Sequence, residues 1–324
     1  MIKKILPYIS IARPDHWFKN VFMVFGIVLV LFYKPALFPD FATFDLWKRI
    51  IIAFISTCLV ASSNYVVNEI LDAPTDKSHP VKKNRPIPSG QVWLPIAWFE
   101  WLAIGACGLA MAWTINLSFF FTALWLWVMG IIYNVPPLRS KELPYVDVLS
   151  EAINNPIRLL LGWFVLLGTT IPPISLMIAY WMMGAFFMAA KRWAEYRMIG
   201  DRVAAGQYRR SFRWYTLENL MVSMFFYAIH CSLFLGVFIV RYHIELILSM
   251  PLIAGFFSYY LRVTFMENSP VQAPEHLYRQ KGLMIYLVIC LLVFFGLMFT
   301  SVPIFYELIN LKPQGLQPLW TIGP

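Results

Sequence analysis

Long apolar runs broken by short polar segments recur along the whole chain. They fall near residues 17–33, 50–68, 93–113, 117–134, 147–168, 173–190, 216–239, 246–261 and 282–300. Each is close to the roughly 20 residues a helix needs to cross a hydrocarbon core of about 30 Å. A segment in lipid must satisfy its own backbone hydrogen bonds, so helices are the expected element. The pattern predicts an all-α integral membrane protein, one bundle of about nine transmembrane helices. Residues 1–324 are expected to form a single domain. No short-period repeat is visible. The polar segments after the second and sixth spans sit in comparable positions, a weak sign of a duplicated unit.

Composition supports this picture. Of 324 residues, 60% are hydrophobic and 13% charged, too little charge for a soluble surface, since about a quarter of the residues in an average soluble protein are charged. The basic start Met1-Ile2-Lys3-Lys4 is not followed at once by a signal-peptide apolar run and cleavage site, so the first span reads as a retained helix. Cys58, Cys107, Cys231 and Cys290 each lie in an apolar run without CxxC spacing. They read as packing residues rather than disulfides or zinc ligands. No Gly-rich phosphate loop of the P-loop type is present.

The net charge of +9 raises nucleic acid as a partner, but the positive residues lie between hydrophobic runs and not on a soluble face. Membrane orientation explains them first. Most of the 26 Lys and Arg fall in the N-terminal segment and in the loops after the second, fourth, sixth and eighth spans. Lys34, Lys48, Arg49, Arg241 and Lys312 fall on the other side. The positive-inside rule then places the N-terminus and the long polar loops in the cytoplasm and the C-terminus outside. No nucleic acid partner is expected.

Candidate chemistry gathers at two spans. At the end of the second, Asn68, Asp72 and Asp76 are spaced four apart and share one helical face. Pro74 is expected to end the regular helix, which places Asp76 on the following turn. Oxygen-bearing side chains in such a row suit a hard cation such as Mg²⁺. An ordinary solvated helix end is the bland alternative, although acids at a helix C-terminus oppose its dipole. The fifth span opens with Asp147, Glu151 and Asn155, again four apart, with Asn154 and Arg158 close by. Polar groups in a membrane helix are expensive unless they face a cavity or one another. A Glu151–Arg158 ion pair is the structural alternative. Lys82, Lys83, Arg85, Lys191 and Arg192 surround the acids in sequence. Acids that hold Mg²⁺, ringed by bases, suit a diphosphate leaving group. Each base taken singly also suits a lipid headgroup.

The run Asn68-Glu69-Ile70-Leu71-Asp72-Ala73-Pro74-Thr75-Asp76, followed by Arg85-Pro86-Ile87-Pro88-Ser89-Gly90, is similar to the signature NDxxDxxxD…RPLPSG of the UbiA prenyltransferase superfamily. Glu69 stands where that signature has Asp. The Asp147/Glu151 pair occupies the place of the second, DxxxD-type motif. A narrower resemblance covers more of the chain. Arg13-Pro14-Asp15-His16-Trp17-Phe18-Lys19-Asn20, Asp76-Lys77-Ser78-His79-Pro80-Val81-Lys82-Lys83-Asn84-Arg85-Pro86 and Lys191-Arg192-Trp193-Ala194-Glu195 look like segments of the decaprenyl-phosphate phosphoribosyltransferase branch.

The resemblance implies a Mg²⁺-dependent membrane transferase that displaces diphosphate from an activated donor. Asn68, Asp72 and Asp76 would hold the first metal. Asp147 and Glu151 would serve a second metal or the ribose hydroxyls. Lys82, Lys83 and Arg85 would hold the diphosphate. Lys191, Arg192 and Arg197 would hold a 5-phosphate or a lipid phosphate, with Glu195 orienting those bases or a hydroxyl. Lys19 and Arg158 join the substrate-binding set. The implied partners are a polyprenyl lipid substrate, membrane lipids, and either phosphoribosyl diphosphate (PRPP) or a polyprenyl diphosphate as donor. The implied location is a bacterial inner membrane with the active site facing the cytoplasm. An aromatic prenyltransferase of the same superfamily is the nearest competitor. A transporter or scaffold is the second; the acids cluster at one face and not along the span, which argues against conduction.

Overall fold

The computed structural model describes residues 2–77, 82–272, 274–302 and 304–308. Ser78–Val81, part of one motif above, and Lys312, used for orientation, lie outside the described residues. Helices α1 (Ile2–Ile11), α2 (Met23–Tyr33), α3 (Phe44–Asp76), α4 (Leu94–Trp113), α5 (Leu117–Asn134), α6 (Val146–Ala152) and α7 (Asn154–Leu166) come first. They are followed by α8 (Ile174–Ile199), α9 (Arg202–Tyr208), α10 (Leu217–Tyr242), α11 (Met250–Thr264), α12 (Lys281–Met298) and α13 (Ile304–Leu308). No strand occurs among the described residues.

Eight described segments are long and apolar enough to cross a membrane. The segment expected at 147–168 is not one of them, because it breaks into α6 and α7. Its residues explain the break. Asn154 and Asn155 open α7, and Pro156 sits in its first turn, where a missing N–H costs least. Many large apolar side chains face outward, among them Phe44, Phe99 and Leu292. In a membrane bundle this is the lipid-facing surface.

α3 is 33 residues long, about 50 Å at 1.5 Å per residue, so its ends reach beyond the hydrocarbon core. The helix continues through Pro74 to Asp76, contrary to the break expected there. Lys77 N bonds to Ala73 O and the Thr75 hydroxyl donates to Asp72 O, so the last turn keeps its bonding around the proline. α3 packs on α4 and α5, α8 lies along α10, and α2 lies against α7. The last crossing is very close. A Cβ on Gly162 would stand 1.9 Å from Met23 O, and one on Gly26 2.1 Å from Leu159 O. Glycine is what lets these two backbones meet.

Candidate active site

The polar ends of α3, α5 and α8 and the starts of α6 and α10 meet at one end of the bundle. On the first wall, Lys141 Nζ donates to Asp72 Oδ1 at 2.6 Å and to Asn134 Oδ1 at 2.8 Å. Asn68 Nδ2 donates to the same Asn134 oxygen at 2.6 Å. Arg139 Nη2 reaches Asp72 Oδ1 at 3.2 Å, and Arg85 Nη1 reaches Asp76 Oδ2 at 2.8 Å. The turn carrying Lys141 is flanked by Arg139 at φ 27° and Tyr145 at φ 64°, a region that residues other than glycine rarely adopt. Burial pulls the Lys141 ammonium down to about 8, against the opposing pull of Asp72. Glu69, the departure from the signature, is buried, and its Oε1 accepts from Ile87 N at 3.1 Å. It pins the Arg85–Gly90 loop to α3.

On the second wall, Asp147 is fully buried. Its Oδ2 accepts from Arg192 Nε (3.2 Å), Arg209 Nη1 (3.1 Å) and Ser211 Oγ (3.3 Å), and its Oδ1 from Tyr215 Oη (2.6 Å). Arg192 also donates to Glu151 Oε2 at 2.6 Å and to Glu195 Oε2 at 3.1 Å. Tyr133 Oη donates to the same Glu151 oxygen at 3.1 Å. Burial, and then the neighbouring Asp147 carboxylate, push the Tyr215 phenol well above its ordinary range. A buried charge survives only with partners of this kind.

The walls are joined where Lys82 Nζ sits 5.0 Å from the centroid of the Tyr208 ring. The two polar loops, distant in sequence, thus form one surface. Burial lowers the Lys82 ammonium and raises the Tyr208 phenol. Lys19 Nζ lies 3.1 Å from His16 Nδ1, and both Lys19 and Lys191 act electrostatically on Glu151. Lys83 is exposed. Arg197 is not brought to the acids: it donates to Phe265 O at 2.8 Å and stacks on Trp193, tying α8 to the end of α11. The Glu151–Arg158 pair weighed above does not form. Arg158 donates to Asn20 Oδ1 at 2.9 Å and to Asn154 O at 3.2 Å, while Glu151 takes Arg192.

The two walls differ as metal sites. Among the described residues no three His, Cys, Asp or Glu converge. Mg²⁺ does not require that, because it is commonly held by one or two carboxylates with substrate phosphates and waters. Asp72 and Asn134 already place oxygens on a cation, the Lys141 ammonium, and Asn68 Nδ2 donates to the same Asn134 oxygen. That oxygen set fits Mg²⁺. Asp147 does not fit a metal: four donors occupy its two oxygens. The metal role expected for it gives way to that of an anchor for Arg192 and Arg209. Sequence reading missed Asn134, Lys141, Arg209, Ser211 and Tyr215 as site residues. Asn134 carried a signal, an amide closing an apolar run, and Tyr215-Thr216 fits the phosphoribosyltransferase branch; Ser211 carried none of comparable strength.

The fold is a bundle of helices long and apolar enough to cross a membrane, with acids and bases facing one another at one end. Residues 23–281 match the UbiA prenyltransferase family, and the chain belongs to it. It is 30% identical over 216 residues to the decaprenyl-phosphate phosphoribosyltransferase of Mycolicibacterium smegmatis, a match covering 65% of this chain and 63% of that protein. The protein of that name from Corynebacterium glutamicum is 29% identical over 64% of this chain and 59% of its own length. The matched region therefore spans about three-fifths of these relatives. A UbiA homolog from Archaeoglobus fulgidus bound to GPP and Mg²⁺ superposes with a TM-score of 0.63 at 19% identity, over 89% of this chain and 99% of that one.

Proposed function

We propose that this chain transfers 5-phosphoribosyl from PRPP to a polyprenyl phosphate in a Mg²⁺-dependent reaction. One observation carries the reading. The Arg-rich segment between α8 and α10 folds back onto the acids, bringing Arg209 to Asp147 beside Arg192 of α8, and Tyr208 to Lys82. A base-rich surface of that kind suits a sugar carrying two phosphorylated positions better than a neutral ring. The names of the relatives from M. smegmatis and C. glutamicum support it. The site faces the cytoplasm of a bacterial inner membrane in this reading, by the positive-inside distribution.

In the mechanism, an oxygen of the lipid phosphate attacks C1 of the ribose while the bond from C1 to the diphosphate oxygen breaks. The electron pair leaves with the diphosphate. The attacking phosphate is already an anion, so no strong base is required. Asn68, Asp72 and Asp76 would hold Mg²⁺, which supplies charge neutralisation on the diphosphate. Lys82, Lys83, Arg85 and Lys141 neutralise the same leaving group from the protein side. Asp147 holds Arg192 and Arg209 in register for the 5-phosphate, beside Lys191. Glu151 has 33% of its side chain exposed and is the carboxylate open to a ribose hydroxyl.

The test is incubation of the purified chain in detergent with Mg²⁺, radiolabelled PRPP and decaprenyl phosphate. Label is expected in the lipid phase and lost in Asp72→Ala. The homolog structure bound to GPP favours a second reading, prenyl transfer from a polyprenyl diphosphate to an aromatic acceptor. Absence of ribosyl label together with prenylation of an aromatic acid would select it.

A further inference from the structure

Arg158 is buried at 8% exposure on α7, within a membrane bundle. Its Nε donates to Asn20 Oδ1 and its Nη1 to the backbone of Asn154; Nη2 has no acceptor among the described residues. Its electrostatic neighbours are Tyr65, Tyr180 and Cys58, and none is a carboxylate. A guanidinium stays charged in proteins, and a buried charge without a counterion is costly. Every other buried arginine or lysine of the site faces an acid: Arg192 has Asp147, Glu151 and Glu195, and Lys141 has Asp72. Arg158 alone among these buried cations lacks one.

Asn20 holds Arg158 in place without neutralising it. Asn20 is 1% exposed, and its Nδ2 donates to Cys58 Sγ at 3.2 Å, which aims Oδ1 at the guanidinium. The close crossing of Gly26 and Gly162 fixes α7, which carries Arg158, against α2, and Asn20 lies in the short 3-10 segment that leads directly into α2. Arg158 lies one turn deeper than Asn154, about 6 Å further along α7. Leu159, Leu161 and Ile157 beside it are buried and apolar.

We propose that Arg158, positioned by Asn20, is the seat for the phosphate of the polyprenyl phosphate acceptor. This rests on the function proposed above and separates the acceptor's phosphate from the donor's phosphates at Lys82, Arg85 and Arg192. The missing counterion is supplied by the substrate. An amphiphile suits a seat at this depth, because its tail enters apolar surroundings as its head reaches the guanidinium.

The test measures binding to the purified full chain in nanodiscs by native mass spectrometry. The probes are decaprenyl phosphate, decaprenol, phosphatidylglycerol and inorganic phosphate. The wild type is expected to prefer decaprenyl phosphate over decaprenol by on the order of tenfold or more. Arg158→Gln removes that preference, and Arg158→Lys keeps part of it. Asn20→Asp installs a carboxylate beside the guanidinium. It is expected to abolish the preference with no loss of thermal stability, which covers the case in which Arg158→Gln does not fold. In the transfer assay Arg158→Lys raises KM for the lipid and leaves KM for PRPP unchanged. If the wild type prefers decaprenyl phosphate and both Arg158→Gln and Asn20→Asp retain that preference, this seat is overturned while the proposed function stands. If the wild type shows no such preference, the acceptor in the proposed function falls together with the seat. Equal binding of phosphatidylglycerol, or tight binding of inorganic phosphate alone, overturns the acceptor assignment by making the seat a headgroup or a free-anion site.

Discussion

Lys141 Nζ lies 2.6 Å from Asp72 Oδ1, so an ammonium from the loop between α5 and α6 sits against the acid row of α3. The chain supplies its own cation where the oxygens of Asp72 and Asn134 meet, with the Asn68 amide bonded to Asn134. In the proposed reaction, Mg²⁺ held at Asp72 would take the place of the Lys141 ammonium and leave it to neutralise the diphosphate.

Removing the carboxylate charge tests the metal assignment. Asp72→Asn keeps size and hydrogen bonding but loses the anion, and transfer is expected to drop by two orders of magnitude or more, in line with loss of a main electrostatic group. Chelation of divalent ions should stop the wild type and Mg²⁺ should restore it. Initial rates of label transfer at graded Mg²⁺ measure both effects; an Asp72→Asn enzyme with wild-type Mg²⁺ response would sink the assignment.

Stability should climb with pH through the Lys141 window when metal is chelated. The folded chain releases this proton at about 8, whereas the unfolded chain holds it to the ordinary 10.5. Between those values the unfolded state binds more protons, so unfolding free energy increases with pH. The full effect is of order 3 kcal/mol. Thermal melts from pH 8 to 10.5 in the wild type and in Lys141→Met measure it, and the variant is expected to lose the slope.

Asp147→Asn should disorder the second wall. It leaves Arg192 and Arg209 with one fewer counter-charge in a buried place, at a cost of roughly 3–5 kcal/mol. Tyr215→Phe removes two hydrogen bonds, the one donated to Asp147 and the one accepted from Tyr145 N, and should cost about 2 kcal/mol. Equal melting temperatures for Asp147→Asn and the wild type would refute the anchor role.

Gly162→Ala should push α2 from α7, because the new methyl would stand 1.9 Å from the Met23 carbonyl. Overpacking of this kind costs about 1–3 kcal/mol. Gly296→Ala is the control, since nothing lies within 4 Å of a Cβ there. Melts of the two variants in the same detergent should separate them.

Much of the architecture was legible in the chain, because a membrane helix declares itself by length and apolarity alone. Eight of the expected spans stand, and the acid row of α3 is legible because its four-residue spacing on one helix depends only on local geometry. The exception at residues 146–166 came from a local conflict between an apolar run and the Asn154-Asn155-Pro156 sequence inside it. Tertiary structure decided which charges meet. Lys141 and Asp72 are 69 residues apart, and Tyr215 and Asp147 are 68 apart. Nothing in a one-dimensional pattern ranks such partners, because burial and helix packing choose them. The same packing turned Arg197 away to Phe265, saturated Asp147 with donors, and left Arg158 buried beside Asn20 without an acid.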